Sequence, residues 1–204
     1  REASYQAGRL HGPSGENYPG SQPRRRCQYQ HDRLHGPVTE WFDDGSPRLQ
    51  GAFAQGLKSG RFVEYYPTHR LKAINQYVAG RLDGSQYEFY PAGGLHRVSP
   101  YQCGLKHGLF EEYYPLKTPP ADPAVTPGVD GAKLKGNLKS LTRYQQGQPV
   151  GPPRTFPDQA PPSGPAAALL TWLLDRLRPL GAGRALALGQ RLVDGLRRKP
   201  WASR

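Results

Sequence analysis

Gly12, Gly36, Gly60, Gly84 and Gly108 are separated by 24 residues at every step, and this period limits the possible folds more than any other feature. Four residues before each stands Gly8, Asp32, Gly56, Gly80 or Gly104. Three residues earlier comes an aromatic: Tyr5, Tyr29, Phe53, Tyr77 or Tyr101. The fourth residue after the second glycine is always glutamate: Glu16, Glu40, Glu64, Glu88 and Glu112. The fifth is Asn17, Trp41, Tyr65, Phe89 or Tyr113, and the sixth is Tyr18, Phe42, Tyr66, Tyr90 or Tyr114. A sixth copy follows an insertion, with Tyr144, Gly147, Gly151 and Phe156, but Thr155 replaces the glutamate and Pro157 the second aromatic.

Each copy reads as one β-hairpin. The Gly-bounded element, as in GRLDG, is predicted to form the turn, because Gly and Asp accept the left-handed torsions of tight hairpins. The flanking segments, such as LKAINQYVA and SQYEFY, are rich in Tyr, Phe and Val, as pleated strands are. YPTHR, YPAGG and DDGSP close successive copies. The fold expected is mainly β: an elongated antiparallel meander of tandem 24-residue hairpins. Each hairpin advances the sheet by about 10 Å at ordinary strand spacing. Only 36% of residues are hydrophobic, so a thin sheet with aromatic faces fits better than a thick two-layer core.

The unit Y-x-x-G-x-x-x-G-x-x-x-E followed by two aromatics resembles the MORN repeat, best seen in FAQGLKSGRFVEYY, YVAGRLDGSQYEFY and YQCGLKHGLFEEYY. The double aromatic with a following turn is similar to the bacterial YwqK-type antitoxin family. The resemblance implies a role in neutralising or accompanying a toxin by protein binding. For the eukaryotic relatives it implies scaffolding and contact with acidic membranes. It covers residues 1–114 well and 136–157 weakly, and the repeat type does not fix a function. The first copy departs from the pattern at Asn17 and reads as a cap or as the remnant of a longer array.

Five segments follow: hairpin repeats at 1–114, a Pro-rich insertion at 115–135, a degenerate sixth repeat at 136–157, a linker at 158–165 and a basic amphipathic helical pair at 166–199. Residues 115–165 hold 12 of the 22 prolines. Leu169, Leu173, Leu177 and Leu180 form one apolar stripe, and Ala185, Leu188, Leu192 and Leu196 a second, so the chain should end in an α-helical segment. The net charge is +12; residues 119–204 carry 13 basic and 5 acidic side chains. That excess favours acidic partners without choosing among them. The sequence contains no Met, so Arg1 is expected to be the end of a processed chain. The longest apolar run, residues 166–170, is too short for a membrane span. A cytoplasmic location is expected, with a peripheral membrane or cell-envelope one as the alternative if an N-terminal signal was removed.

The glutamate series is the obvious catalytic candidate, but a group duplicated at every step reads as structural. It is expected to pair with Arg24, Arg48, Lys72 and His96, which share the 24-residue spacing. His11, His35 and His107 read as turn residues, spaced too widely to share a metal ion. Cys27 and Cys103 should lie about 30 Å apart along the sheet, beyond disulfide reach. No cofactor fingerprint occurs, and neither a small-molecule substrate nor an enzymatic activity is expected. Trp41, Tyr65, Phe89 and Tyr113 should line one face, and Phe42, Tyr66, Tyr90 and Tyr114 the other. These eight aromatics are the candidate partner-binding residues. Gly12, Gly36, Gly60, Gly84, Gly108, Gly56, Gly80 and Gly104 are the structural glycines. The expected partner is a protein, such as a cognate toxin. An anionic membrane surface met through residues 166–199 is the alternative, and nucleic acid is disfavoured because the glutamates repel phosphate.

Overall fold

The structure, a computed structural model, describes residues 2–118 and 134–158. Residues 159–165 of the linker, the helical pair and residues 119–133 of the insertion lie outside the described residues. What is described is a single open antiparallel sheet of fifteen strands. The strands are β1 (Glu2–Gln6), β2 (Arg9–Asn17), β3 (Pro23–Gln30), β4 (Arg33–Trp41), β5 (Pro47–Ala54), β6 (Leu57–Tyr65) and β7 (Leu71–Val78). They continue with β8 (Arg81–Leu82), β9 (Gly84–Phe89), β10 (Leu95–Gln102), β11 (Leu105–Lys106), β12 (Gly108–Tyr113) and β13 (Leu138–Gln145). The last are β14 (Gln148–Pro149) and β15 (Arg154–Thr155). Neighbours in sequence are neighbours in the sheet, with the short β8, β11 and β15 pairing to β7, β10 and β13.

The turn differs from the one expected. It spans two residues, not the whole Gly-bounded element. Ala79 and Gly80 both have positive φ, 48° and 78°, which is the type I′ geometry that matches the twist of the strands. The same pair of torsions recurs at Ala7–Gly8, His31–Asp32, Gln55–Gly56, Cys103–Gly104 and Gln146–Gly147. The second glycine lies past the turn, where the register shifts. Ala52 pairs with Ser59 and Gln50 with Val63, so Gly51 alone faces residues 60–62. Gly60 takes a φ of 76° there and lets β6 bulge without a side-chain clash. On its other side each of these glycines faces an aromatic: Gly12 meets Tyr29, Gly36 Phe53, Gly60 Tyr77, Gly84 Tyr101 and Gly108 Tyr144.

Hydrogen bonds tie each turn to the one before. Gly56 N–H donates to Leu34 O (2.7 Å), Gly80 to Lys58 O (2.9 Å), Gly104 to Leu82 O (2.7 Å) and Gly147 to Lys106 O (2.8 Å). At the other margin, three-residue loops close on themselves. Tyr66 N–H donates to Arg70 O and His69 N–H to Tyr66 O, with Pro67 in the first bend position.

One sheet cannot bury a core between layers, and its apolar contacts form two clusters. Val38, Phe62 and Cys27 are buried with Leu34, Leu49, Phe53 and Tyr77 on one face. Val63, Leu71, Phe89, Leu95 and Tyr113 are buried with Tyr65, Ile74 and Leu138 on the other. Phe62 and Val63 are consecutive, so the protected face changes sides at β6.

Candidate functional site

The glutamates stand in one row across the sheet. Strand register gives the order Glu16, Arg25, Glu40, Leu49, Glu64, Ala73, Glu88, Arg97, Glu112, Ser140. The strand that follows each closing turn carries one extra residue at a register shift: Arg24, Arg48, Lys72, His96 and Lys139. A bulged residue is re-aimed relative to strict alternation, which brings these cations onto the glutamate face. Arg48 binds Glu40, Lys72 lies 3.3 Å from Glu64, and Lys139 lies 2.8 Å from Glu112. His96 sits between two carboxylates, 3.9 Å from Glu88 and 3.5 Å from Glu112. Arg24 lies over the Tyr18 ring at 5.7 Å. Arg25 and Arg97, inside the row, lie 3.5 Å from Glu40 and 3.6 Å from Glu88. The Lys139 hydrogen bond holds the Glu112 carboxyl below its ordinary range, against the opposing effect of burial. Four carboxylates of the row have cation partners, and Glu112 gathers the most, from Lys139, His96 and the Ser140 hydroxyl. Lys139 escaped the sequence reading because the insertion breaks its 24-residue spacing.

The two aromatic columns lie on opposite faces. Phe89 and Tyr113 are core residues, and Trp41 and Tyr65 are half-buried beside the same row. Burial pushes the Tyr113 phenol up, helped by its hydrogen bond to Glu111. The second column works as a set of staples. Tyr66 Oη donates to Phe89 O (3.0 Å), Tyr90 Oη to Tyr113 O (2.8 Å) and Tyr114 Oη to Phe156 O (3.1 Å). Tyr18 Oη reaches Trp41 O at 3.0 Å in the same way. Phe42 stands in this series without a hydroxyl.

His11 and His35 are not turn residues. They lie within β2 and β4, one strand position from the bulge glycine. His35 Nδ1 accepts the Gln55 N–H of the next turn at 3.4 Å, and Asp83 Oδ2 accepts that of Cys103 at 3.1 Å from the corresponding place. His107 donates its own N–H to Pro100 O (3.0 Å). Cys27 is buried in β3 and Cys103 is exposed in a turn. Among the described residues no three His, Cys, Asp or Glu converge as a metal site, and no helix is long and apolar enough to cross a membrane.

The surface that sequence reasoning missed runs along the type I′ turns. The residue after each of the first five turns is Arg9, Arg33, Leu57, Arg81 or Leu105, Gln148 follows the sixth, and all six are exposed. Four of them lean on the next turn. Arg33, Leu57, Arg81 and Leu105 approach to 3.9, 3.3, 3.6 and 3.7 Å of where a Cβ on Gly56, Gly80, Gly104 and Gly147 would sit. Leu57 is 50% and Leu105 52% exposed, and Val78 beside Arg81 is exposed too. The signal was present at the same 24-residue spacing, but its mixed Arg and Leu composition hid it.

The fold and this surface define the class of the protein: an open antiparallel β-meander with a regular Arg/Leu margin. No protein-family model and no curated protein matches the chain.

Proposed function

We propose that the chain is a non-enzymatic, MORN-like repeat scaffold that binds a protein partner, in the manner of a YwqK-type antitoxin or immunity protein capturing its toxin. The observation that carries this reading is the turn margin, where exposed Leu57, Val78 and Leu105 alternate with Arg33 and Arg81. Exposed apolar side chains interleaved with arginine are the chemistry of interface anchors. Trp41, Tyr65 and the half-buried second column (Phe42, Tyr66, Tyr90, Tyr114) add aromatic surface on either face, whereas Phe89 and Tyr113 support the sheet from within. The paired glutamates supply rigidity in place of acid–base chemistry. A cytoplasmic location and a C-terminal helical pair belong to the same reading.

The test is affinity purification of the tagged chain beside a Leu57→Asp/Leu105→Asp variant, with growth rescue assayed for any toxic protein recovered. Recovery of one protein by the wild type, lost in the variant, is the expected result. Identical recovery by both sinks the assignment of the margin. The basic excess of residues 119–204 motivates a second reading, a membrane-associated scaffold on anionic lipid. Flotation with phosphatidylserine vesicles that persists after removal of residues 163–204 would exclude that tail mechanism.

A further inference from the structure

The two faces of the sheet treat their cations differently. On the glutamate face Arg25, Arg48, Lys72 and Lys139 meet carboxylates, and Lys58 and Lys106 lie over the Phe62 and Phe110 rings at 4.9 and 5.3 Å. Strand alternation puts another set on the opposite face. Arg26 is next to Arg25 of the glutamate row, Arg61 and Arg143 are three residues from Glu64 and Ser140, and Arg154 is next to Thr155, which stands opposite Ser140. Arg33 and Arg81 face Gln30 and Val78, which lie five residues from Arg25 and Ala73 of the row. All six are exposed, and none meets a carboxylate among the described residues. Arg26 donates to main-chain oxygens alone, Glu16 O and Arg25 O.

The apolar surface follows the same division. Leu57, Val78 and Leu105 of the turn margin lie on the arginine face, with Tyr87 opposite Val98 and Leu109 opposite Arg143. These are five of the seven large hydrophobic side chains exposed among the described residues. Of the carboxylates here, Asp83 accepts the Cys103 N–H and Glu111 is held by Tyr113 and Lys135. An arginine fork fits a carboxylate with two parallel bonds, so an exposed arginine without one is open to a carboxylate from outside. The glutamate row, being on the other side, does not repel an anion from this face. The aliphatic side chains decide the kind of anion, because they offer nothing to a phosphate backbone and match an apolar protein surface. The chain, at net +12, does not supply the complementary sign, so a second copy does not fit.

We propose that the arginine face, from β4 to β13, docks an acidic amphipathic segment of another protein, one whose aliphatic side chains are flanked by aspartate or glutamate. Its carboxylates engage Arg33, Arg61, Arg81 and Arg143, and its aliphatic side chains cover Leu57, Val78, Leu105 and Leu109. Apolar burial gives affinity, and the arginine forks give register and selectivity. The inference rests on the protein-binding reading, names the chemistry of the partner and extends the site from the turn margin across the face.

The probe is a fluorescein-labelled peptide of three copies of Glu-Leu-Glu-Glu-Leu-Ala-Glu, titrated into the full chain and followed by anisotropy. Saturable binding is expected. Arg61→Gln/Arg143→Gln should weaken it at least tenfold, and Leu109→Asp likewise. Lys58→Gln/Lys106→Gln removes the same charge from the other face and should leave binding within about twofold. Urea unfolding of each variant checks that it is folded. No binding, or equal weakening by the two double variants, overturns the proposal. Equal binding of a peptide with alanine in place of leucine overturns it as well, as does tighter binding of oligodeoxythymidylate or phosphatidylserine vesicles through the same arginines. If the peptide fails while the Leu57→Asp/Leu105→Asp variant still loses its captured protein, the arginine face alone is refuted; if that capture fails too, the protein-binding reading falls with it.

Discussion

Replacing Gly51 by alanine should destabilise the sheet, although alanine is ordinarily the better residue within a strand by roughly 0.5–1 kcal/mol. Gly51 does not have a positive φ, so backbone strain is not the reason. A Cβ there would lie 2.5 Å from Cδ1 and 2.6 Å from Cε1 of Phe62. Phe62 is 1% exposed and hemmed in by Phe53 at 5.5 Å, Tyr77 at 5.2 Å and the Lys58 ammonium at 4.9 Å. It cannot swing aside without displacing two rings. Overpacking of this kind costs about 1–3 kcal/mol, so Gly51→Ala should lose roughly 1–2 kcal/mol net of the alanine preference. The chain contains the alternative solution 24 residues earlier, where Cys27 is paired with Val38. Phe62→Val should therefore cost about 2 kcal/mol alone through lost volume, yet remove the penalty of Gly51→Ala. Urea unfolding of the four members of this cycle, followed by far-UV circular dichroism, measures the coupling. A coupling of about 1–2 kcal/mol is expected, and additivity within about 0.5 kcal/mol would refute the steric argument.

Tyr90→Phe should cost about 1 kcal/mol by removing the hydroxyl bond to Tyr113 O, and Phe42→Tyr should gain up to as much by supplying the missing member of the series; equal stability of Tyr90→Phe and wild type in urea would argue against the staple. Asp44 is held down to about 2 by hydrogen bonds from Ser46 and His69. Because its pKa is lowered on folding, its contribution is complete above about 4 and is lost as the pH falls towards 2; an NMR titration of its carboxyl with a midpoint near 3.8 would remove those bonds from the account. Glu112, lowered chiefly by the Lys139 hydrogen bond, has the same sign, so Lys139→Met should move its titration upward, and an unmoved midpoint would sink the pairing. Ala79→Asn should stabilise the chain by about 0.5–1 kcal/mol, since Asn-Gly suits a type I′ turn better than Ala at φ 48°; a lower urea midpoint would contradict that geometry.

Much of the architecture was legible because the period writes the same instruction repeatedly. The positions of Gly56, Gly80 and Gly104, the alternation that puts Tyr65 and Tyr66 on opposite faces, and the pairing of Glu40 with Arg48 and Glu64 with Lys72 all follow from spacing and side-chain chemistry. The turn length was misjudged because Gly80 and Gly84 look equivalent in sequence. Only the register shows that Gly80 belongs to the turn and Gly84 to the bulge. His35 looked like a turn residue for the same reason, and its role as acceptor for Gln55 depends on the neighbouring hairpin.

The sequence by itself determined the local rule: a hairpin turn with left-handed torsions at fixed places, and a carboxylate at the same position of the first five copies. These depend on neighbours within a single copy. Tertiary structure alone decided which surface is left exposed. Phe89 and Tyr113 became core while Tyr5, at an aromatic position of the same pattern, stayed open, because burial depends on whether another strand lies alongside. Likewise the Arg/Leu margin exists as a surface only once successive turns are hydrogen-bonded into one edge, and each side chain comes to rest on the glycine of the turn that follows.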